Sequence, residues 1–484
     1  MSETGEWLEQ PRIRQIALAL IVVFFAITNI PWTLDDYDQA KQAYTSFEMV
    51  GQGHWLYQHT PNESVATKPP LVGWISAAIF EVTRWWEGAW RIPSLAAALV
   101  LLWLIAREAT AASGVLGGLI AMSAFGLNLL SPRLATLVRT DMPLALVTFL
   151  IGWQIWRKIR RAEPWTRRDR TIAFVLLTSA MLIKGPIIYA FILPGLILYQ
   201  ILRRKSRAPS AWSGWWPWIL SLAIFLAWAA GGIVRQTGFY ESVVIREFAG
   251  RFTETIHKPQ PLYFYLPHLL HKFAPWSVLL IGFAVFFWRR RERSMRPETL
   301  WLVCWSVGGL LLMSIIPSKR VDRIFPIVPP LCLLLGAQVA AFGQVEQGRA
   351  RVRPWLAVAL LFAVVFTGGY VAWKIGRAQD ARSDALVQFG RKVREEAEAH
   401  QWRYEIVGGR EEGMLLYLRR THFLSANDAL EQWRTGQLDA LVVRNQPARD
   451  WGALLPGAKL LRVSGKSAGA AQYSLFVRNE GRSY

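Results

Sequence analysis

Long apolar runs separated by short polar segments recur along the first three quarters of the chain. Many of them approach the roughly 20 residues that an α-helix needs to cross a bilayer. This pattern predicts a polytopic α-helical membrane protein with about 11–13 spans, because no soluble domain needs so many separate runs of that length. The spans are expected near residues 14–32, 91–107, 113–131, 141–157, 171–184, 187–202, 217–234, 273–288, 299–316, 324–342 and 355–374.

The apolar stretch 71–82 is shorter than these runs. Counting it as a full span would place the basic cluster at 157–170 on the wrong side of the membrane. We therefore predict an interfacial or re-entrant helix here.

Basic residues give the chain a net charge of +21, while 53% of its residues are hydrophobic and 18% are charged. The charges fall in short clusters between apolar runs, and cytoplasmic loops of membrane proteins carry such clusters. This predicts a multi-pass cell-membrane protein with a cytoplasmic amino terminus and a carboxy terminus on the outer face. Nucleic acid is not an expected partner, because no recognised binding module accompanies the charge. The clusters used for this orientation are 157–170, 203–207, 289–296 and 349–353.

The composition changes after residue 374 to that of a soluble domain. We predict a membrane domain over 1–374, with outer-face loops 33–90 and 235–272, and a small α/β domain over 375–484. An amphipathic helix is expected over 381–400 from its apolar spacing. Short strands are expected at Tyr404–Val407, Ala440–Val443, Leu460–Val463 and Tyr473–Val477, with helices at Glu411–Leu418 and Ala426–Trp433.

Asp35 and Asp36 follow directly after the first apolar run. Ionisable groups at a bilayer surface are costly unless they are paired or used, so they are candidates for function. A carboxylate here could take the proton of an acceptor hydroxyl. The alternative is a capping pair, with Asp35 starting a helix through residues 40–48.

Three further outer-face positions carry a lysine or an acid one or two residues before a proline. Lys68 precedes two prolines and could hold a phosphate as a point charge, or could simply snorkel to the interface. Asp141, next to Arg139, could position an acceptor or cap the first turn of a span. Lys184 lies at a Gly-Pro break between two spans, where snorkelling would not require a lysine.

Two later outer segments add cations and histidine. Arg251, His257 and Lys258 lie among aromatic residues, and His257 could ligate a divalent metal or bind phosphate. Lys319 and Arg323 precede the tenth span and could add further cations to the site. The alternative interpretation is that this segment forms an ion pair through the neighbouring Asp322.

Taken in order, these segments resemble the lipid-linked-sugar glycosyltransferases of the GT-C superfamily. The resemblance is to the lipid A aminoarabinose transferases and the related protein mannosyltransferases. It covers most of residues 1–345. The segments that carry it are Asp35-Asp36-Tyr37-Asp38-Gln39-Ala40, Thr67-Lys68-Pro69-Pro70, Arg91-Ile92-Pro93-Ser94, Asp141-Met142-Pro143-Leu144-Ala145, Lys184-Gly185-Pro186, Arg251-Phe252, His257-Lys258 and Tyr263-Phe264-Tyr265-Leu266-Pro267.

The resemblance implies a GT-C-like fold and an inverting hexosyl or pentosyl transfer from polyprenyl (undecaprenyl) phosphate. The acceptor would be lipid A, another glycan, a lipid or a protein on the outer face of the membrane. Asp35 and Asp141 would be catalytic. Asp36, Arg139, Lys184 and Lys319 would contact substrate, and Lys68, with Arg251, Lys258 or Arg323, would bind the departing phosphate. The resemblance also implies the bacterial inner membrane, with the carboxy-terminal domain in the periplasm.

This sequence departs from the family where Thr67 replaces a glutamate that is a metal ligand in some relatives. A divalent metal is therefore not an assured cofactor, although His257 could still hold one. A flippase or transporter of lipid-linked sugars is the alternative function, but such proteins carry polar residues deep in their spans. A non-catalytic assembly subunit would not explain why acids and lysines recur in separate outer loops.

Overall fold

The fold was analysed in a computed structural model. It describes residues 6–34, 36–61, 65–203, 211–251, 259–290, 295–345, 348–409, 411–445, 450–466 and 471–479.

Helices dominate the described part of the chain. The α-helices are α1 Pro11–Ile27, α2 Tyr37–Gln52, α3 Leu71–Thr83, α4 Ile92–Gly126, α5 Ser131–Ala135, α6 Asp141–Arg161, α7 Arg167–Lys184, α8 Ile187–Arg203, α9 Trp216–Arg235, α10 Tyr265–Lys272, α11 Trp276–Arg289, α12 Pro297–Ile315, α13 Val328–Gly343, α14 Gly348–Asp380, α15 Ala385–His400, α16 Glu412–Leu418, α17 Ala426–Arg434 and α18 Trp451–Leu454. The strands are β1 Tyr404–Val407, β2 Ala440–Arg444, β3 Ala458–Val463 and β4 Tyr473–Arg478.

Every predicted span overlaps one of these helices, which confirms a polytopic membrane protein. By length and composition, five helices in the described part of the chain could cross a membrane. The number is six if the bent pair Leu262–Lys272 and Trp276–Arg289 counts as one span. Other predicted spans form helices that are shorter or less apolar than this measure requires. The stretch 71–82 is helical, as α3, and is also short.

The helix α4 contains two predicted spans that meet at Gly114. This glycine has φ 75° and ψ 178°, which only glycine adopts readily. A Cβ atom on Gly118 would lie 3.0 Å from the Cα of Thr110, whereas eight residues of straight helix span about 12 Å. The chain therefore reverses direction at Gly114, and the two spans form a helical hairpin.

The chain divides into two compact units. Unit 1 comprises residues 1–28, 67–72 and 92–372, and within it glycines let helices approach closely. A Cβ on Gly308 of α12 would lie 2.4 Å from the backbone nitrogen of Gly195 in α8. Small residues commonly line such helix crossings in membranes, because they bring the backbones into contact.

Unit 2 comprises residues 29–66, 73–91 and 373–484. Its sheet has the strand order β1-β2-β4-β3, with β1 and β2 parallel and the other pairs antiparallel. The connection between the parallel strands contains α16 and α17, as a parallel crossover requires. Trp433 of α17 is fully buried against Leu441 and Val443 of β2. The predicted carboxy-terminal α/β fold is confirmed, with strand positions within two residues of those expected.

Residues of the first loop are part of unit 2. The helix α16 packs against α2, and Gly413 lies so close to Leu34 that a Cβ there would be 2.5 Å from the Leu34 carbonyl oxygen. The Leu34 amide donates a hydrogen bond to the Tyr417 hydroxyl, and the Tyr44 hydroxyl donates one to the Thr421 carbonyl. The chain directly before Asp35 is thus held by residues near position 417.

Candidate active site

A buried ion pair joins two of the predicted site residues in unit 1. Lys184, the last residue of α7, lies 2.5 Å from a carboxylate oxygen of Asp141, the first residue of α6. Both side chains are nearly buried, with about a tenth of their surface exposed. Asp141 thus contacts Lys184 rather than serving only as a helix cap.

Local sequence explains why these two residues are placed at helix ends. Gly185, at φ 74°, ends α7 directly after Lys184, and Pro186 follows it. Ser94, near the start of α4, donates hydrogen bonds to the carbonyl groups of Leu137 and Arg139. The serine therefore fixes the loop that leads into Asp141, which gives a structural reason for the Arg91–Ser94 segment.

Lys68 and Arg139 also act electrostatically on the Asp141 carboxylate, beside Lys184. Lys184 pairs with Asp141, and Lys68 and Arg139 also act on its charge, so three cations influence one acid. A role of these four residues in binding substrate or in catalysis stays a prediction. A preorganised group of cations can stabilise a phosphate that gains charge when its bond to a sugar breaks.

Arg139 also contacts a second acid that the predicted site did not include. Its guanidinium lies 3.2 Å from one oxygen of Asp322, and the guanidinium of Arg133 lies 3.1 Å from the other oxygen. The predicted alternative, an ion pair of Asp322, is confirmed. No pattern in the sequence points to Arg133, since its partner is 189 positions away.

Lys319 and Arg323 lie on the segment that also carries Asp322. The Lys319 ammonium donates to the Gln260 carbonyl at 2.9 Å, and Arg323 donates to the backbone carbonyl of Ser318 at 2.6 Å. Burial lowers the pKa of Lys319. The contact of Lys319 connects the segment before the tenth predicted span to residue 260, within the predicted outer loop 235–272.

Asp36 belongs to unit 2 and caps α2. Its carboxylate accepts hydrogen bonds from the amides of Asp38 and Gln39. Arg91 is buried and donates to the Thr33 carbonyl and to the Gln39 side chain, so it holds both flanks of this segment. The helix predicted here is confirmed, but Asp36 caps it rather than Asp35. A substrate contact of Asp36 stays a prediction.

Several predicted site residues fall where the structure gives no side-chain description. Asp35, His257 and Lys258 lie outside the described residues, and only the backbone of Arg251 is described, in a 3-10 helix over Ala249–Arg251. Their roles remain predictions from the resemblance.

One cluster with metal-binding chemistry was not predicted. Glu48, His54 and His59 of unit 2 bring a carboxylate and two imidazoles together. The spacing of an acid and two histidines within twelve residues was a signal available in the sequence.

Comparison with solved structures defines the class of this fold. It superposes on the crystal structure of ArnT from Cupriavidus metallidurans bound to undecaprenyl phosphate, with a TM-score of 0.68 and 17% identity, over 96% of this chain and 97% of that chain. The archaeal oligosaccharyltransferase AglB from Archaeoglobus fulgidus, in complex with an inhibitory peptide and a dolichol-phosphate, gives a TM-score of 0.50 at 12% identity. That superposition covers 89% of this chain and 69% of that chain. The protein therefore has the GT-C fold of polytopic membrane proteins.

In sequence, the curated homologues are undecaprenyl-phosphate aminoarabinose transferases. The undecaprenyl phosphate-alpha-4-amino-4-deoxy-L-arabinose arabinosyl transferase of Pectobacterium atrosepticum is 26% identical over 376 residues. The match covers 72% of this chain and 64% of that relative, a little under two thirds of its length. No family model matches the chain.

Proposed function

We propose that this protein is an inverting glycosyltransferase that moves a sugar from a polyprenyl phosphate donor to an acceptor at the membrane surface. One observation carries the proposal. Lys68 and Lys184, which are far from Asp141 in sequence, and Arg139, two residues before it, all act electrostatically on its carboxylate within a GT-C fold. The names of the homologues support undecaprenyl phosphate as the lipid carrier.

In the proposed reaction the acceptor hydroxyl attacks the anomeric carbon, and the bond between that carbon and the phosphate oxygen breaks. Asp35 takes the hydroxyl proton, and Asp141 helps to position the acceptor. Lys68 and the cations Arg251, Lys258, Lys319 and Arg323 stabilise the departing polyprenyl phosphate, while Asp36, Arg139 and Lys184 complete the substrate contacts. The ion pair between Lys184 and Asp141 offsets part of the cost of burying either charge.

The reaction is tested by replacing Lys68 with alanine in purified protein reconstituted into lipid nanodiscs. With undecaprenyl-phosphate sugars as donors, release of undecaprenyl phosphate should fall by about 100-fold, the loss typical when one preorganised donor to a developing charge is removed. Lys392→Ala, at an exposed position on α15, is the matched control and should keep full activity. Full activity of Lys68→Ala would overturn the proposed phosphate contact. Tracer flux without any glycosyl product would favour a flippase.

We also propose that the amino terminus is cytoplasmic, and that the active site and the carboxy-terminal domain, over residues 375–484, face the periplasm. The basic clusters between apolar runs support this orientation. Single cysteines introduced at positions 36 and 450, in a variant lacking Cys304 and Cys332, should react with an impermeant maleimide in intact spheroplasts. A cysteine at position 165 should react only after lysis. If the cysteines at positions 36 and 450 reacted with the maleimide from opposite sides of the membrane, the proposed orientation would be contradicted.

A further inference from the structure

We propose that Glu48, His54 and His59 bind a divalent transition-metal ion, with Zn²⁺ preferred. The carboxylate and the two imidazoles each offer one ligand atom, and these atoms all lie within 4.8 Å of one another. The site consists only of residues of unit 2 and is independent of the proposed sugar transfer.

The three side chains already converge on one point. The Nδ1 atom of His54 contacts the Oε1 atom of Glu48, and the Nδ1 atom of His59 lies 3.8 Å from the same oxygen. The two imidazole rings are 4.1 Å apart, with their planes inclined by 62°. Zinc lies about 2.0–2.2 Å from histidine nitrogen and carboxylate oxygen in proteins, so tetrahedral ligands are roughly 3.3 Å apart. Small side-chain rotations would bring all three into that geometry.

The backbone around these residues is fixed on both sides of the cluster. Gly53, with φ 80°, ends α2 and turns the chain so that His54 returns toward Glu48. The Trp74 indole donates to the Trp55 carbonyl at 2.6 Å, directly after His54. An antiparallel bridge to Val65 holds His59. The ligands would therefore be largely preorganised, which lowers the entropy cost of binding an ion.

Glu48 gives an independent indication of a missing cation. Its side chain is only 2% exposed, and its Oε2 atom has no hydrogen-bond donor among the described residues. A buried carboxylate oxygen without a partner is energetically costly. A metal ion bound between this carboxylate and the histidines would remove that cost.

The ligand types select the ion. Two histidines and one glutamate are a known ligand set for zinc, in which a fourth position stays open for water or substrate. Calcium and magnesium prefer oxygen ligands and would not favour two imidazoles. The His54 side chain is 45% exposed, so solvent can reach the cluster and supply the fourth ligand.

The test is zinc binding by the full-length protein, purified in detergent and stripped with a chelator. Equilibrium dialysis followed by elemental analysis should find one Zn²⁺ per chain. His54→Ala and His59→Ala should each weaken binding by at least about tenfold, since even the loss of supporting outer-shell contacts costs 10–100-fold. His400→Ala, an exposed histidine at the end of α15, should bind zinc as the unaltered protein does.

His257→Ala separates this site from the metal position expected from the family resemblance. It should retain zinc if the proposed cluster is the site. Loss of zinc in His257→Ala but not in His59→Ala would overturn the proposal, as would an unaltered protein that binds none. Zinc should also raise the unfolding temperature of the unaltered protein and not that of His54→Ala, because a ligand stabilises the state that binds it. The partial exposure of His54 makes this variant suitable if His59→Ala does not fold.

Discussion

Charged side chains in this protein differ in how far water can screen them. The pair Lys184–Asp141 is nearly buried, whereas Arg391 and Glu87 form a pair whose side chains are each about half exposed. Removing one partner of a buried pair leaves an uncompensated charge, while exposed pairs contribute little to stability. A cation therefore contributes more to stability at position 184 than at position 391.

Lys184→Ala should lower the free energy of unfolding by about 3 kcal/mol, because Asp141 keeps its charge in a buried place without its nearest partner. Arg391→Ala should lower it by no more than about 1 kcal/mol. Denaturant unfolding of the detergent-solubilised variants measures both. Adding Asp141→Asn to Lys184→Ala should recover part of the loss. Equal effects of the two single variants would contradict this assignment.

Glu412, at the start of α16, gives a dependence of stability on pH. Burial raises the pKa of its carboxyl group above the ordinary value, although Lys41 opposes this. The folded state thus holds the proton more tightly than the unfolded state. The stability contributed by this group is complete below the unfolded-state pKa and is lost as pH rises through the folded-state pKa.

Glu412→Gln should therefore raise the unfolding temperature at neutral pH and have little effect near pH 4, where both states are largely protonated. Thermal unfolding at a series of pH values checks the prediction. Glu395→Gln, at an exposed position on α15, is the control. It should leave the unfolding temperature unchanged both at neutral pH and near pH 4. A gain that is equal at both pH values would mean that burial of charge is not the cause.

Elements in the membrane unit depend on glycines at their crossings. Gly308→Ala should force α8 and α12 apart, because the new methyl group would meet the backbone of Gly195. We expect a loss of about 1–3 kcal/mol, as for other overpacked contacts. Gly282→Ala on α11 meets nothing within 4 Å and should be neutral or slightly stabilising. Denaturant unfolding in detergent measures the stability of the two variants. Equal stability of Gly308→Ala and Gly282→Ala would contradict close packing at Gly308.

The elements themselves were largely predictable from the sequence. Apolar run length predicted the membrane helices, and the short strands after residue 400 followed from their apolar character. A reversal between the spans 91–107 and 113–131 was predicted, and only its position at Gly114 required the structure. The pairing of Asp141 with Lys184 and the contact of Arg133 with Asp322 were not predicted. Such pairs depend on which helix ends meet, and sequence spacing does not encode that.

Across the whole molecule, the first loop and the carboxy-terminal residues form one compact unit. The compact unit that contains the carboxy-terminal residues therefore also includes residues 29–66 and 73–91, far before the change of composition at residue 374. Contacts of Tyr417 and Thr421 with the first loop would be lost together with the carboxy-terminal segment.

A chain that stops after residue 374 should insert into the membrane, because it keeps every predicted span, but should lose transfer activity. Its first loop, with Asp35, would lack the partners that hold Leu34 and Tyr44. A chain that stops at residue 479, just after β4, is the control and should remain active. Membrane levels by immunoblot and activity in membranes measure the two properties. Full activity of the shorter chain would contradict a supporting role for these contacts.

The hydrogen bond between Leu34 and Tyr417 joins residues 383 positions apart. During synthesis the amino-terminal partner leaves the ribosome many seconds before the other, at rates of about 5–20 residues per second. The loop beside Asp35 therefore lacks this partner until the last part of the chain is made. In the proposed function, sugar transfer would then begin only in molecules whose translation is nearly finished.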